Sequence, residues 1–239
     1  MSNLPPDGVA DLDALDPGTS LSHDLRAPLR VIEGFARILK EDYGPGMDRR
    51  GNDHLDRILA AAQRMDSMIG VLLDLNRLSS LPLSRQAVDL SQMAVFILDD
   101  LRAAEPQRLA TVSVEPGLVK YGDPVLLRRV LENLLGNAWK YSSRQGHTVI
   151  EVCARTVADG RTAWCVKDNG AGFDMRMAGS LYAPFQRLHA ASEFPGDGVG
   201  LATVKRIVQR HGGEVGAEGT PGAGAAFWFT VAERATRGS

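Results

Sequence analysis

The stretch from 19 to 80 constrains the fold most, because it carries two long helix-period stripes separated by a stop that a helix cannot cross. Apolar residues fall at Leu21, Leu25, Leu29, Ile32, Phe35 and Ile38 or Leu39. Spacings of three and four mark one face of a helix, here over about 19–42. Thr19 or Ser20 is placed to cap its start, and Tyr43-Gly44-Pro45-Gly46 ends it. A second helix is expected over about 48–80, with Leu55, Ile58, Leu59, Ala62, Met65, Ile69, Leu72, Leu73 and Leu78 on its apolar side. The short Gly/Pro loop turns the pair into an antiparallel hairpin. A lone hairpin buries two such stripes poorly. Pairing with a second copy in a four-helix bundle solves this, so a homodimer is expected on physical grounds. The competing solution is packing against the rest of the same chain.

Beyond Leu81-Pro82 the texture changes. Helical patterns at about 91–105, 124–142 and 200–211 alternate with β-rich runs at 111–114, 148–154, 163–168 and 226–231. Such interleaving predicts an α/β sandwich, a sheet with helices on one face. The expected division is a disordered lead over 1–17, a helical domain over 18–82 and an α/β domain over 83–239. The lead is acidic and rich in Pro, Asp and Gly, the reverse of a signal peptide. No run approaches the ~18 apolar residues of a membrane span, so none is expected in this sequence. Lys and Arg number 27 against 29 Asp and Glu, leaving no basic field to attract nucleic acid. The two cysteines, Cys153 and Cys165, fit neither a disulfide framework nor a zinc site and read as reduced thiols of a cytoplasmic protein.

Four clusters carry chemistry. In Ser22-His23-Asp24-Leu25-Arg26-Ala27-Pro28-Leu29, His23 lies off or at the edge of the apolar stripe, where its ring can reach solvent. Asp24 can bond one ring nitrogen and leave the other free to attack, while Pro28 loosens the helix beside them. A single helical surface histidine is more often idle than reactive; the octapeptide is what gives it weight. In Glu132-Asn133-Leu134-Leu135-Gly136-Asn137-Ala138-Trp139-Lys140-Tyr141, the two asparagines stand four apart on one helical face and Lys140 extends the ridge. Neutral oxygen donors beside a lysine suit magnesium and its phosphates, though a plain solvated helix face has the same look. Asp168-Asn169-Gly170-Ala171-Gly172-Phe173 ends a strand. Its carboxylate can accept from an exocyclic amine, and Gly170 and Gly172 allow a tight turn around a ring. Gly196-Asp197-Gly198-Val199-Gly200-Leu201 opens a helix whose N–H groups and dipole favour phosphate oxygens. No Gly-Lys-Ser/Thr follows, and no strand precedes it in a βαβ unit, which excludes the common nucleotide loops.

The octapeptide closely resembles the H-box of sensor histidine kinases. The other three clusters resemble that family's N-box and its first and second glycine boxes. Ala183-Pro184-Phe185-Gln186-Arg187-Leu188-His189 resembles the F-box, and Gly222-Ala223-Gly224 resembles a third glycine element that shapes a turn. The boxes follow the family's order and spacing, and the likeness is greatest to its phytochrome-like members.

The resemblance implies a helical dimerisation and phosphotransfer domain followed by the GHKL-type sandwich of gyrase, heat-shock and mismatch-repair ATPases. It implies ATP and Mg2+ as cofactors, with phosphorylation of His23 assisted by Asp24. It places magnesium on Asn137, with Asn133 close by. Adenine falls to Asp168 with Gly170 and Gly172. The phosphates fall to Lys140, Tyr141, Gly196, Gly198, Gly200 and Leu201, and Arg187 is a candidate for phosphate or inter-domain contact. The partner implied is a response-regulator receiver domain, and the alternatives are a catalytically degenerate dimeric scaffold or an ATP-independent histidine phosphotransfer protein. Two residues depart from the pattern. Ala27 stands where many members have Thr or Asn, which predicts weak or absent phosphatase activity toward the regulator. Asp197 puts a carboxylate beside the expected triphosphate. His54, His147, His189 and His211 have no ligand-like spacing and read as surface or packing residues. The segment over about 176–197 lacks apolar periodicity and is expected to serve as a lid.

Overall fold

The computed structural model describes residues 17–80, 82–158, 160–190 and 192–232. The chain divides between Arg77 and Leu78 into two compact units. The expected lead lies outside the described residues except for Pro17.

In the first unit, α1 (Pro17–Tyr43) and α2 (Arg49–Ser80) are joined by a 3-10 turn at Gly44–Gly46. The α1 helix begins at Pro17, so Thr19 and Ser20 lie inside it rather than at its cap. Proline suits a first helical turn, since its fixed φ is already helical and its missing N–H would have no partner there. The hairpin is antiparallel: Arg26 pairs with Asp66 at 3.1 Å near one end, and Lys40 pairs with Asp56 near the turn. Its seam is narrower than a single wide stripe would make it. Leu29 and Ala36 on α1, and Leu55, Ala62 and Ile69 on α2, are buried at steps of seven, the spacing of a coiled-coil seam. Ile32, Phe35, Ile38, Ile58, Met65 and Leu72 form a second apolar set that stays exposed, Phe35 at 64%.

The second unit starts with a two-stranded antiparallel ribbon, β1 (Gln86–Asp89) with β3 (Val119–Gly122). The main sheet has the order β2-β4-β5-β7-β6. Its strands are β2 (Ala110–Val114), β4 (Thr148–Thr156), β5 (Thr162–Asp168), β6 (Val215–Thr220) and β7 (Gly224–Phe229). The β2–β4 pair is parallel and the other pairs are antiparallel. Helices α3 (Leu90–Ala104), α4 (Pro124–Tyr141) and α5 (Gly200–Arg210) supply a buried apolar layer, including Leu98, Leu127, Leu131, Leu135 and Ile207. Along β4 the period is two: Thr148, Ile150 and Val152 are buried, whereas Val149 and Glu151 are exposed. The expected helices over one face of a sheet are therefore present. Cys153 and Cys165 stand opposite each other on β4 and β5 as free thiols, and burial pushes the Cys165 thiol up to about 11. Among the described residues no helix is long and apolar enough to cross a membrane.

Two devices fix α4, the helix on which the site is built. Asp123 caps its start, Oδ1 accepting from the N–H groups of Val125 and Leu126 at 3.0 and 3.2 Å, and Pro124 follows. His211, fully buried at the end of α5, accepts the Asp123 N–H on Nε2 at 2.9 Å. Its proton is therefore on Nδ1, which donates to the Ile207 carbonyl at 2.8 Å. Burial holds its pKa below the ordinary 6.5. The folded protein thus resists a proton that the unfolded chain accepts as pH falls through 6.5. The stability from this group is full above that value and declines below it. His211→Ala is expected to cost about 2–4 kcal/mol at neutral pH, from the cavity and the unpaired Asp123 N–H. Urea titrations of both proteins should show the gap narrowing toward about pH 5.5.

Candidate functional site

The site gathers around the C-terminal half of α4. Asn133 and Asn137 face the same way, one turn apart, but their surroundings differ. The Asn133 amide nitrogen donates to the Arg129 carbonyl at 2.7 Å, and its Oδ1 packs against the start of α5. A Cβ on Gly200 would lie 2.5 Å from that oxygen, so any larger residue there would push the Asn133 amide aside. Asn137 is half-buried and, among the described residues, has no hydrogen-bond partner. Lys140 carries its Nζ 4.3 Å above the Tyr141 ring, next to Gly196, with no carboxylate partner among the described residues.

Trp139, on the adjoining face, is buried and serves as an anchor. Its Nε1–H donates to Glu105 at 2.9 Å, and the Arg108 guanidinium stacks 4.3 Å from its ring. Arg108 also donates to the Trp139 carbonyl at 2.5 Å and to Ser142 Oγ at 3.1 Å. These bonds neutralise carbonyls at the negative end of the helix and hold its last turn. That turn in turn fixes the loop after β5, since the Tyr141 carbonyl accepts the Ala171 N–H at 3.1 Å.

Asp168 ends β5 beneath this loop. One oxygen accepts the Gly170 N–H at 2.8 Å. Burial raises its pKa to about 6 against the opposing pull of the Gly170 and Ala225 N–H groups. Gly172 needs its achiral backbone: φ is +61° and a Cβ would fall 1.9 Å from the Thr220 carbonyl oxygen.

These elements enclose one cleft with two compartments. The first is apolar and small, about 50 Å³, with Asp168 set among Phe173, Leu181, Leu188, Leu201 and Phe227. The second is polar and larger, about 210 Å³, lined by Asn133, Asn137, Lys140, Gly196, Gly198 and Gly200. Tyr141, Leu181, Gln186, Arg187 and Leu201 border both. Asp197 is exposed at the rim of the polar compartment. The α5 helix opens into it without a side-chain cap, leaving its first N–H groups to a ligand. Arg187 reaches the cleft, yet its two terminal nitrogens donate to the Phe194 and Gly196 carbonyls and brace the segment before α5.

The structure thus brings together Asn133, Asn137, Lys140, Tyr141, Asp168, Gly172, Arg187, Gly196, Gly198, Gly200 and Leu201, with Gly170 supporting Asp168 from behind. His23 and Asp24 lie on α1 in the other unit, and their side chains, with the expected solvent exposure of His23, fall outside the described residues. Residues the sequence did not single out as ligands are Leu181, Leu188, His189, Ala225 and Phe227, all lining the apolar compartment. Alternation in β7 is a signal for Phe227 and for Ala225 two residues before it; the other three come from a segment without periodicity.

Residues 19–81 match the family described as His Kinase A (phospho-acceptor) domain. Residues 122–235 match that described as Histidine kinase-, DNA gyrase B-, and HSP90-like ATPase. Cyanobacterial phytochrome B of Nostoc sp. is 34% identical over 216 residues, covering 88% of this chain and 28% of that protein. Sensor histidine kinase CpxA of Escherichia coli is 33% identical over 224 residues, covering 90% and 47%. Full-length ShkA in complex with AMPPNP gives a TM-score of 0.57 at 26% identity, over 91% of this chain and 46% of that one. The mycobacterial sensor histidine kinase MprB gives 0.51 at 25% identity, over 61% and 97%. The chain spans between 28% and 47% of the length of these two curated relatives.

Proposed function

The chain belongs to the histidine kinase family, a phospho-acceptor domain followed by an ATPase domain, and on that premise we propose that it uses Mg-ATP to phosphorylate its own His23. The phosphoryl group then passes to an aspartate of a response-regulator receiver domain. The observation that carries the reading is the division of the cleft. A buried carboxylate in an apolar compartment suits a purine bearing an amine. An adjoining polar compartment with an amide, a lysine and uncapped helix N–H groups suits a polyphosphate.

Adenine enters the apolar compartment and donates its amine to Asp168. The phosphates lie against Lys140 and the start of α5. The oxygen-donor set around Asn137 fits magnesium, which takes few protein ligands, and Asn137 would hold the ion while it neutralises phosphate charge. An unprotonated ring nitrogen of His23 forms a bond to the γ-phosphorus as the bond to the bridging oxygen breaks, and ADP leaves with the electron pair. Asp24 keeps the proton on the other ring nitrogen. The protein supplies position and charge stabilisation rather than covalent chemistry.

Residues 18–82 form the dimerisation and phosphotransfer domain and residues 83–239 the catalytic domain. The second copy of the chain covers the exposed set around Phe35, giving a homodimeric four-helix bundle. Ala27 offers no side chain to hold water for hydrolysis of the regulator's phosphoaspartate, in keeping with weak phosphatase activity. The setting is the cytoplasm, where ATP and reduced thiols coexist.

Purified protein incubated with Mg-ATP labelled at the γ-phosphate tests this beside His23→Gln, which keeps the ATPase domain whole. Label on the wild type alone supports the proposal. Label on both proteins moves the acceptor elsewhere. No label and no nucleotide binding leaves the scaffold or the phosphotransfer protein.

A further inference from the structure

His189 has no role in the chemistry above, and its sequence setting suggested a surface or packing residue. Its position in the fold says more. Its ring lines the apolar compartment that holds Asp168. The ring centroid is 5.3 Å from that of Tyr141 and 5.3 Å from that of Phe194, and Tyr141 and Phe194 meet edge to face at 5.0 Å. Three rings from three parts of the chain therefore close on one another: the end of α4, the last residue of the F-box-like stretch and the approach to α5. Phe194, at 3% exposure, is the buried anchor of the group. His189 adds a polar tie, its Nε2 lying 2.9 Å from the Gly172 carbonyl oxygen. A carbonyl only accepts, so Nε2 carries the proton. The Gly172 carbonyl is itself held in place, because the backbone there packs directly on Thr220.

Resting on the nucleotide-site reading above, we infer that His189 is a nucleotide-binding residue. Its ring completes the wall for the base or sugar, and its N–H locks that wall to the loop after β5. Packing alone would need neither a hydrogen bond to the loop beside Asp168 nor a ring at the cavity surface. His189 lines the apolar compartment and not the polar one that holds Asn137 and Lys140, so it acts on binding of the nucleoside part and not on phosphoryl transfer.

Calorimetric titration with Mg-ADP and with the non-hydrolysable Mg-AMPPNP tests the assignment on the full chain. His189→Ala is expected to weaken both about ten-fold, leaving the ratio of the two dissociation constants unchanged. The KM for ATP in autophosphorylation should rise by the same factor, while the rate at saturating ATP stays within about two-fold. Two variants separate the parts: His189→Phe keeps a ring and loses the donor, whereas His189→Gln keeps an N–H near the Nε2 position and loses the ring. Each is expected to lose about three-fold. The inference is overturned if His189→Ala binds both nucleotides as the wild type does. It is equally overturned if the loss falls on one nucleotide alone, or if binding falls only in step with the melting midpoint of the unliganded protein. A wild type that binds neither nucleotide overturns the nucleotide-site reading itself, and this inference with it.

Discussion

Replacing Asn137 with alanine is expected to slow autophosphorylation by about 100- to 1,000-fold while leaving the fold intact, the effect of removing a group that stabilises transition-state charge. The expectation rests on the contrast between the two asparagines of α4. Asn133 spends its amide hydrogen on the Arg129 carbonyl and its oxygen in packing against Gly200. Asn137 lines the polar compartment with no hydrogen-bond partner among the described residues. Its removal therefore breaks no side-chain hydrogen bond among the described residues, and the melting midpoint should stay within about 2 °C. Adenosine binding should also persist, since Asp168 and the apolar compartment are untouched. Rate measurements at saturating ATP check the first part and calorimetry checks the second. A variant that phosphorylates at the wild-type rate would remove Asn137 from the proposed site.

The second large effect is on nucleotide recognition. Asp168→Asn is expected to weaken Mg-ADP binding by about 100-fold, because the variant presents an amide N–H where adenine offers one of its own. Unliganded stability should move little. The change removes a buried charge but leaves the Ala225 N–H facing a donor, two opposing effects of about 1–2 kcal/mol each. Asp168 also makes binding pH-dependent. With its pKa at about 6, the carboxylate is ionised at neutral pH and takes a proton as pH falls through that value, losing its charge and turning one acceptor oxygen into a donor. Affinity should therefore decline below pH 6 in the wild type and stay flat in the variant. The stability of the unliganded protein responds in the opposite sense. The folded state holds this proton more tightly than the unfolded chain, whose Asp titrates at 3.8, so Asp168 favours folding as pH falls from 6 toward 3.8. His211 acts against it over the upper part of that range. Calorimetry across pH, with unfolding measured in parallel, separates the two groups.

Much of the site was legible because it lies on regular elements. Asn133, Asn137 and Lys140 share a helical ridge that spacing alone reveals, and Asp168 closes a strand whose β-branched and aromatic neighbours announce it. The helical hairpin was legible in outline but not in its division of labour. The apolar set read as one stripe contains a buried seam at steps of seven and an exposed set beside it, and spacings of three and four serve both equally. The short ribbon strands β1 and β3 and the edge strand β6 were not anticipated. The β6 sequence Val-Gly-Ala-Glu-Gly-Thr has no alternation to read, and Val88 is the one buried residue of β1. Strand β7 was expected at 226–231 and runs from Gly224 to Phe229, because Gly224 already passes against the Asp168 backbone. The third glycine element therefore backs the site as well as turning the chain. Trp139 sits in a polar cluster because its partners Glu105 and Arg108 come from a distant stretch of the chain, which local spacing does not encode. His189, Leu181 and Leu188 reach the cavity through tertiary folding of an aperiodic segment, which no local pattern encodes.

The most direct test of the account is to locate the phosphoryl group. After reaction with Mg-ATP, the protein is digested at alkaline pH, where phosphohistidine survives, and the phosphopeptide is fragmented in a mass spectrometer. A single phosphoryl group is expected on the His23 ring, lost on brief acid treatment and absent from His23→Gln. An acid-stable phosphoryl group on Ser20 or Ser22, or one that persists in His23→Gln, would contradict it.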